Sequence, residues 1–181
     1  MYLQKFCIPE ELYELPKFEY ELRTYYTWYE DKEYKIGFSD IPIIYSYPIN
    51  NRVMDDEDIE IIEEKPLVLC NHIEVYLEDK KKNKKYYFMI PSGYRYDGAS
   101  IPRLFWRLIG SKEDVRFQIP ALIHDVLCEN KNYVDNDRYF ADKIFERNLF
   151  VAGVPAFSRW LMFHSVDNWQ KFCGWVGEVK C

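Results

Sequence analysis

The stretch Gly93-Tyr-Arg-Tyr-Asp-Gly-Ala-Ser-Ile-Pro-Arg103 separates two parts of the chain that differ in hydrophobic period. Before it, apolar residues tend to recur at every second position, which is the period of a half-buried β-strand. After Gly98 they recur at spacings of three and four, which is the period of a helix with one core-facing side. This order predicts an α+β fold, with antiparallel strands first and helices after, in a single domain over residues 1–181.

The part before this stretch contains five segments rich in apolar and β-favouring residues. Pro42 and Pro48 lack the amide proton that a central strand needs, so the short segments near them are expected at a sheet edge or in loops. The last two segments are expected to pair as a hairpin. The predicted strands are Phe18–Trp28, Tyr34–Phe38, Ile41–Tyr47, Leu67–Leu77 and Tyr86–Ile90.

Three charged stretches separate these strands. Glu30–Glu33 is predicted as a turn and Asp55–Glu60 as a solvated, acidic loop. Glu78–Lys85 contains five lysines, which taken alone would suggest binding to nucleic acid. Its place between two paired strands favours the exposed connector of a hairpin instead.

A cluster of four helices is predicted in the remainder. Ser100 is a favourable N-cap for the first, and Pro120 suits the first turn of the second. Gly153 and Gly174 are expected to end the third and fourth. The predicted helices run from Ser100 to Gly110, from near Pro120 onward, from about Asn136 to Val151 and from about Pro155 to Phe172.

The charge distribution restricts the classes of partner. The net charge is −6, which argues against a general nucleic-acid surface or an anionic-membrane surface. Residues 1–66 hold 16 acidic and 7 basic residues, whereas the remainder holds 14 acidic and 17 basic ones. A small anionic ligand is therefore expected in the C-terminal part.

The cysteines and the apolar runs indicate the compartment. Five scattered cysteines without a C-x-x-C pair fit neither a disulfide framework nor a zinc cluster, and a reducing cytosol is the expected setting. No run of 18 apolar residues is present, so no membrane span is predicted, and the N-terminus does not have the pattern of a signal peptide.

Two charged residues interrupt the apolar face of the third predicted helix. Arg138 and Asp142 share that face with Phe145 and Leu149. Arg138 lies in the first turn, where the helix dipole disfavours a cation, so local helix stability does not explain it. Either it pairs with a carboxylate elsewhere, with Asp97 and Asp125 as candidates, or its guanidinium binds an anionic ligand.

The second helix carries the candidate base. His124 lies beside the aliphatic stripe, and a carboxylate such as Asp142 could fix its tautomer so that the other ring nitrogen takes a proton from water. Asp125 could assist catalysis, bind a divalent metal or cap a loop, although no cofactor is predicted. The alternative is a hydrogen-bonded structural histidine.

The loop before the first helix is the second candidate part of the site. Free amides at a helix N-terminus bind anions, and Gly98 permits close approach of the backbone. Ligand contacts are predicted for Tyr96, Asp97, Ser100 and Arg103. The alternative is that Asp97 and Ser100 satisfy the loop amides as turn and cap.

Three blocks in this order resemble the phage and prophage family known as domain of unknown function 1353. They are Gly93–Arg103, Ala121–Cys128 and Arg138–Phe145, and the resemblance covers about residues 66–172. The acidic, aromatic residues 1–65 look like an addition to the family's core that is peculiar to this chain. Cys128 stands where the family usually has Tyr. The resemblance implies a phage or prophage origin, with the host cytoplasm or the virion as workplace, but no established activity.

A looser similarity links the His124–Asp125 pair to phospholipases A2, in which such a dipeptide activates water and binds calcium. The likeness would give Asp142 the orienting role. The glycine-rich calcium loop and the disulfide frame of those enzymes are missing from this chain.

Three functions are consistent with these residues. The first is a small hydrolase in which His124 acts as base on an anionic substrate containing a phosphate or ester. The second is a non-catalytic protein that sequesters a small nucleotide signal of host antiviral immunity through Arg103 and Arg138. The third is a virion or host-takeover component in which the polar residues are structural.

Overall fold

A computed structural model of the chain describes residues 25–46, 56–98 and 114–173, and within these it has seven strands followed mainly by helices. The α+β prediction is confirmed. The strands are β1 Tyr26–Glu30, β2 Tyr34–Phe38, β3 Ile44–Ser46, β4 Leu67–Leu69, β5 Ile73–Asp79, β6 Lys84–Ile90 and β7 Arg95–Tyr96. The helices are α1 Asp56–Glu64, α2 Val115–Glu129, α3 Arg138–Val151 and α4 Ala156–Cys173, with a 3-10 helix at Lys131–Val134.

The larger sheet has the order β1-β2-β5-β6, with every neighbouring pair antiparallel. Alternate residues of β5 are fully buried, among them Ile73, Val75 and Leu77. Ile73 lies opposite Ile90, and Val75 lies opposite Phe88. This face forms the core with the helices, so the alternating pattern and the predicted β5–β6 hairpin are both confirmed.

The smaller sheet has the order β3-β4-β7 and corrects one predicted strand. Leu67–Leu77 was expected to be continuous, but the structure divides it into β4 and β5, which belong to different sheets. Between them, the side chain of Asn71 accepts from the amide of Ile43 at 2.9 Å and donates to the carbonyl of Ile41 at 3.0 Å. The apolar alternation continues from β4 into β5 because each strand buries aliphatic side chains, although the two strands belong to different sheets.

Three further strand and loop predictions differ from the structure. The stretch Asp55–Glu60 was predicted as a loop, but α1 begins at Asp56, carries acids in its first turn, where the dipole favours them, and buries Ile62. β2 was predicted at a sheet edge or in a loop because of the nearby prolines, but it pairs with β1 and β5 in the interior of the larger sheet. Of the predicted strand Phe18–Trp28, the described part begins with Tyr25, and β1 starts at Tyr26 and ends at Glu30.

The second helix starts earlier than predicted. α2 begins at Val115, and Asp114 caps it by accepting from the amide of Arg116 at 2.9 Å. Pro120, expected in the first turn, lies within the helix and is buried. The cap therefore decides the helix start, and the proline does not. The first predicted helix, 100–110, lies outside the described residues.

The third and fourth helices agree with prediction to within two residues. α3 ends before Gly153, which has a φ of +75°. α3 packs against both α2 and α4, and Phe140, Ile144, Phe145 and Leu149 are buried on two of its sides. Among the described helices, none combines the length and the apolar character needed to cross a membrane.

Candidate functional site

A buried cluster of charged side chains lies where α2 packs against α3. His124 of α2 contacts Asp142 of α3, with 3.2 Å between Nε2 and Oδ1. Arg138, one turn before Asp142, donates from Nη1 to Oδ2 at 3.0 Å. The side chain of Asp142 is fully buried, with 0% exposure. Each oxygen of this carboxylate therefore faces a cationic or potentially cationic group, and we call these three residues the polar cluster.

The contact of Arg138 differs from the ones expected. Asp97 and Asp125 were the candidate partners, and the observed carboxylate is Asp142 of the same helix. A spacing of four residues places the two side chains on one helix face. A full ion pair with a buried carboxylate outweighs the unfavourable helix dipole, which explains a cation in the first turn.

The ring of His124 is enclosed on several sides. The residue is 8% exposed, and its ring centroid lies 4.9 Å from that of Phe145. The sulfur of Cys128, one turn later on α2, lies 3.7 Å from both ring nitrogens. Oδ1 of Asp125 lies 4.0 Å from Nδ1. The ring thus has Asp142 on one nitrogen and a thiol and a second carboxyl group nearby.

The surroundings of His124 determine its charge. Burial by itself lowers the pKa of His124, but Cys128 and the hydrogen-bonded Asp142 outweigh burial, and Asp125 adds to them. The resulting pKa lies well above the ordinary value of 6.5. The surroundings therefore favour the protonated form of the ring, in which both nitrogens are donors.

Asp125 is also strongly perturbed. Burial raises the pKa of this carboxyl well above 3.8, and the charge of Asp97 raises it further, against an opposing effect of His124. Its Oδ2 atom is buried and has no hydrogen-bond partner among the described residues, although the side chain as a whole is 20% exposed. A carboxyl group with a raised pKa can donate a hydrogen bond as a neutral acid.

The segment Gly93–Gly98 lies against α2 beside this cluster. The hydroxyl of Tyr94 donates to Glu129 at 2.7 Å, and that of Tyr96 donates to the carbonyl of Gln118 at 3.0 Å. Tyr96 was predicted to contact a ligand, but it is 1% exposed and its hydroxyl is occupied by α2. These two hydroxyls hold Asp97 near Asp125.

The remaining predicted ligand residues, Ser100 and Arg103, lie outside the described residues. Of the predicted site, the structure therefore brings together His124, Asp142 and Arg138, with Asp125 next to His124 and Asp97 close to Asp125. Their roles in binding or catalysis remain predictions.

No role in the site was predicted for Cys128, and its sulfur lies 3.7 Å from both ring nitrogens of His124. The signal was present in the spacing, because residues four apart on a helix are neighbours. What the spacing alone does not show is that the ring turns toward this side of α2.

Two other features bear on ligands. A cavity of about 320 Å³ lies away from the polar cluster, between the β5–β6 connector and α3, with Lys81, Lys82, Tyr139 and Lys143 among its lining residues. Within residues 25–46, 56–98 and 114–173, no group of three or more His, Cys, Asp or Glu side chains is arranged to hold a metal ion.

Residues 73–166, more than half of the chain, match the model of a family described as Protein of unknown function (DUF1353). The chain is also similar to Uncharacterized protein y4jT of Sinorhizobium fredii (strain NBRC 101917 / NGR234), at 31% identity over 96 residues. That match covers 51% of this chain and 28% of the relative, so the chain spans less than a third of the relative's length. No solved structure matches the chain significantly.

Proposed function

We propose that this chain, which belongs to the family described as Protein of unknown function (DUF1353), is a small hydrolase in which His124, held by Asp142, transfers protons. Its substrate is a small molecule with an ester or phosphate group. A phage or prophage origin, with action in the host cytoplasm, is part of the proposal and is supported by the resemblance of the three sequence blocks.

The observation that carries the proposal is the contact of 3.2 Å between His124 and Asp142. A buried ion pair is a poor means of stabilising a core, because apolar residues of similar volume often stabilise it as well or better. Strongly perturbed titratable groups cluster at functional sites. Two such groups, His124 and Asp125, are neighbours here, beside a fully buried carboxylate.

The charge state of His124 defines the order of proton transfers. When a nucleophile attacks the substrate and the bond to the leaving group breaks, a protonated ring donates its proton to that group. The neutral ring then accepts a proton from the water that completes the hydrolysis. Nε2 faces Asp142 at 3.2 Å, so a neutral ring that keeps its hydrogen on Nε2 is held in the same orientation as the protonated ring. Arg138 keeps the charge of Asp142 compensated when the ring becomes neutral.

The excess of basic over acidic residues after residue 66, 17 against 14, supports a substrate of anionic character. It equally suits the alternative of a non-catalytic protein that sequesters a small nucleotide. The two proposals differ in what is recovered, since a hydrolase releases products and a sequestering protein releases the intact ligand.

The test is hydrolysis of a panel of p-nitrophenyl carboxyl esters and phosphoesters by the full chain. We expect the wild type to turn over at least one member, and His124→Gln to lower kcat/KM about 100-fold or more, the contribution of a general acid or base. His72→Gln is the matched control, because His72 is exposed and lies outside the polar cluster. Circular dichroism checks that each variant is folded.

Equal turnover by wild type and a folded His124→Gln protein would contradict the proposal. A thermal shift with a nucleotide that is recovered unchanged, without turnover of any ester, would favour the sequestering protein.

A further inference from the structure

We infer that Cys128 is the nucleophile of this site and that the substrate is an acyl compound, namely an ester, thioester or amide. This inference rests on the proposed hydrolase function and deepens it by naming the reacting atom and the substrate class. It concerns this chain in particular, because the sequence block that carries the family resemblance usually has Tyr at this position.

The first support is the arrangement of three side chains. The sulfur of Cys128 lies 3.7 Å from the ring of His124, and the ring lies 3.2 Å from Asp142. A nucleophile next to a base that is in turn oriented by a carboxylate is the arrangement that activates thiols and hydroxyls in enzymes of unrelated folds.

The sulfur of Cys128 is not aligned with either ring nitrogen of His124. The sulfur is equally far from Nδ1 and Nε2, so it lies over the ring and is not in line with either N–H. Nucleophile and base contacts are commonly looser without substrate and tighten when substrate binds. Rotation about the single Cα–Cβ bond of Cys128 changes this alignment without moving α2.

The second support is the charge on His124. A protonated ring is unable to take a proton from water, so direct activation of water is disfavoured as the first step. The same positive charge attracts a thiolate and favours sulfur as the attacking atom. The resting state of the ring therefore suits covalent catalysis better than single-step hydrolysis.

The third support is the environment on the accessible side of the cluster. Asp142 and His124 are buried, whereas Cys128 and Asp125 are partly exposed, so a substrate reaches the thiol and the second carboxyl group first. The Asp125 side chain is 20% exposed. In its neutral form, the accessible part of this carboxyl group can donate to a carbonyl oxygen on which negative charge develops.

The acids around Asp125 also select the substrate class. Asp97 and Glu129 both raise the pKa of Asp125, which places these acids close to it, and Glu129 is also paired with Lys65 at 3.0 Å. A phosphoester would bring formal negative charge toward these carboxylates, whereas the carbonyl group of an acyl compound is neutral. The environment therefore favours acyl transfer over phosphoryl transfer.

The reaction proceeds in two balanced steps without an oxidant or reductant. The Cys128 thiolate attacks the carbonyl carbon, a C–S bond forms, and the bond to the leaving group breaks as that group takes the proton of His124. Water then attacks the thioester and gives a proton to His124. The C–S bond breaks, the carboxylic acid is released, and the Cys128 thiolate is regenerated.

The test follows p-nitrophenyl acetate with the full chain by absorbance, rapid quenching and intact mass spectrometry. We expect a burst of nitrophenol, one acetyl group per chain and peptide mapping of that group to Cys128. Cys128→Ala is expected to lose the adduct and to lower turnover at least 100-fold. Cys70→Ser is the matched control, because Cys70 is exposed and lies in the strand half of the fold, and it should match wild type.

The outcomes separate this inference from the proposed function. If Cys128→Ala keeps the wild-type rate while His124→Gln loses it, the nucleophile is wrong and the hydrolase stands. If neither substitution changes turnover, both the assignment of Cys128 as nucleophile and the proposed hydrolase function are wrong.

A second measurement does not depend on a substrate. Iodoacetamide at pH 7 is expected to alkylate Cys128 about tenfold faster than Cys70, and His124→Gln should remove this advantage. A Cys128 rate no greater than that of Cys70, although His124 is intact, would overturn the inference.

Discussion

Two groups of ion pairs lie near the start of α3, and they differ in the exposure of their charged side chains. On the solvent side, Lys84 of β6 pairs with Asp135 at 3.0 Å, and both side chains are 47% exposed. On the core side, Arg138 and Asp142 follow Asp135 by three and seven residues, and the fully buried Asp142 contacts both Arg138 and His124 of α2. Contacts between an aspartate and a basic side chain thus serve two purposes, and burial decides which.

The exposed region attaches the β5–β6 hairpin to the helices. Lys82 and Lys84 reach from the hairpin to Asp137 and Asp135. Exposed pairs are worth about 0–1 kcal/mol each, because water screens the charges and two long side chains must be ordered. This region helps to position the hairpin and adds little stability.

The buried region has larger consequences because water is unavailable to replace a lost partner. Removing one member of a buried charge pair leaves the other uncompensated, which costs about 3–5 kcal/mol. The same isolation from solvent shifts the protonation of His124 and Asp125. Burial therefore explains both the large contribution of this region to stability and the shifted pKa values of His124 and Asp125.

The largest predicted effect is that of Asp142→Asn. We expect the free energy of unfolding to fall by about 3–5 kcal/mol, since Arg138 and His124 both lose the charge of the buried carboxylate that they contact. Urea denaturation measures it. Asp137→Asn is the matched control, because Asn caps helices as well as Asp does and only the exposed charge is removed. Equal losses for the two variants would contradict the comparison.

The second prediction concerns pH and is smaller, because a neutral His124 still has an N–H to donate to Asp142. The pKa of folded His124 is raised above its unfolded value near 6.5, against the effect of burial, by Cys128, Asp142 and Asp125. Its stabilising contribution is therefore complete below pH 6.5 and is lost as pH rises through the folded pKa.

Urea denaturation from pH 6 to 9.5 checks this. The stability difference between wild type and His124→Gln should shrink as pH rises. For Lys82, whose pKa is raised from 10.5 by its bond to Asp137, the difference between wild type and Lys82→Met should stay constant over this range. A pH-independent difference at His124 would contradict the proposed charge state.

The third prediction is Asp137→Ala, which removes the N-cap of α3 as well as a surface charge. Asp137 accepts from the amide of Phe140 at 3.1 Å. We expect a loss of about 1 kcal/mol, the usual cost of removing a side-chain cap, measured by urea denaturation. Asp137→Ser should recover most of this loss, because Ser restores the cap without the charge.

The smallest effect is expected for Lys84→Met. Its pair with Asp135 is half exposed on both sides, so the loss should be below about 1 kcal/mol and should vanish in 1 M salt. A loss as large as that of Asp142→Asn would show that exposure does not separate the two regions.

Local patterns in the sequence predicted several elements well and others poorly. β2, β6, α3 and α4 follow from periodicity that extends over most of their length. Alternation across Leu67–Leu77 reports which residues are buried, but not that they are buried in two different sheets. The acidic stretch Asp55–Glu60 looked solvated, yet α1 needs only one apolar side, around Ile62.

The candidate site shows the same division. The spacing placed Arg138 and Asp142 on one helix face and His124 near the core, and all three lie together. It did not show that Cys128 contacts the ring or that Tyr96 uses its hydroxyl on Gln118. These contacts depend on how α2 is rotated against its neighbours, which local sequence does not define.

The sequence by itself determined the order of strands and helices, the family and the residues that carry charge into the core, since periodicity and residue type are local properties. Only the tertiary structure decided which charges meet, that the pKa of His124 is raised and that one oxygen of Asp125 has no hydrogen-bond partner among the described residues. Pairing and protonation depend on distance and on the exclusion of water, and both arise only when separate elements pack together.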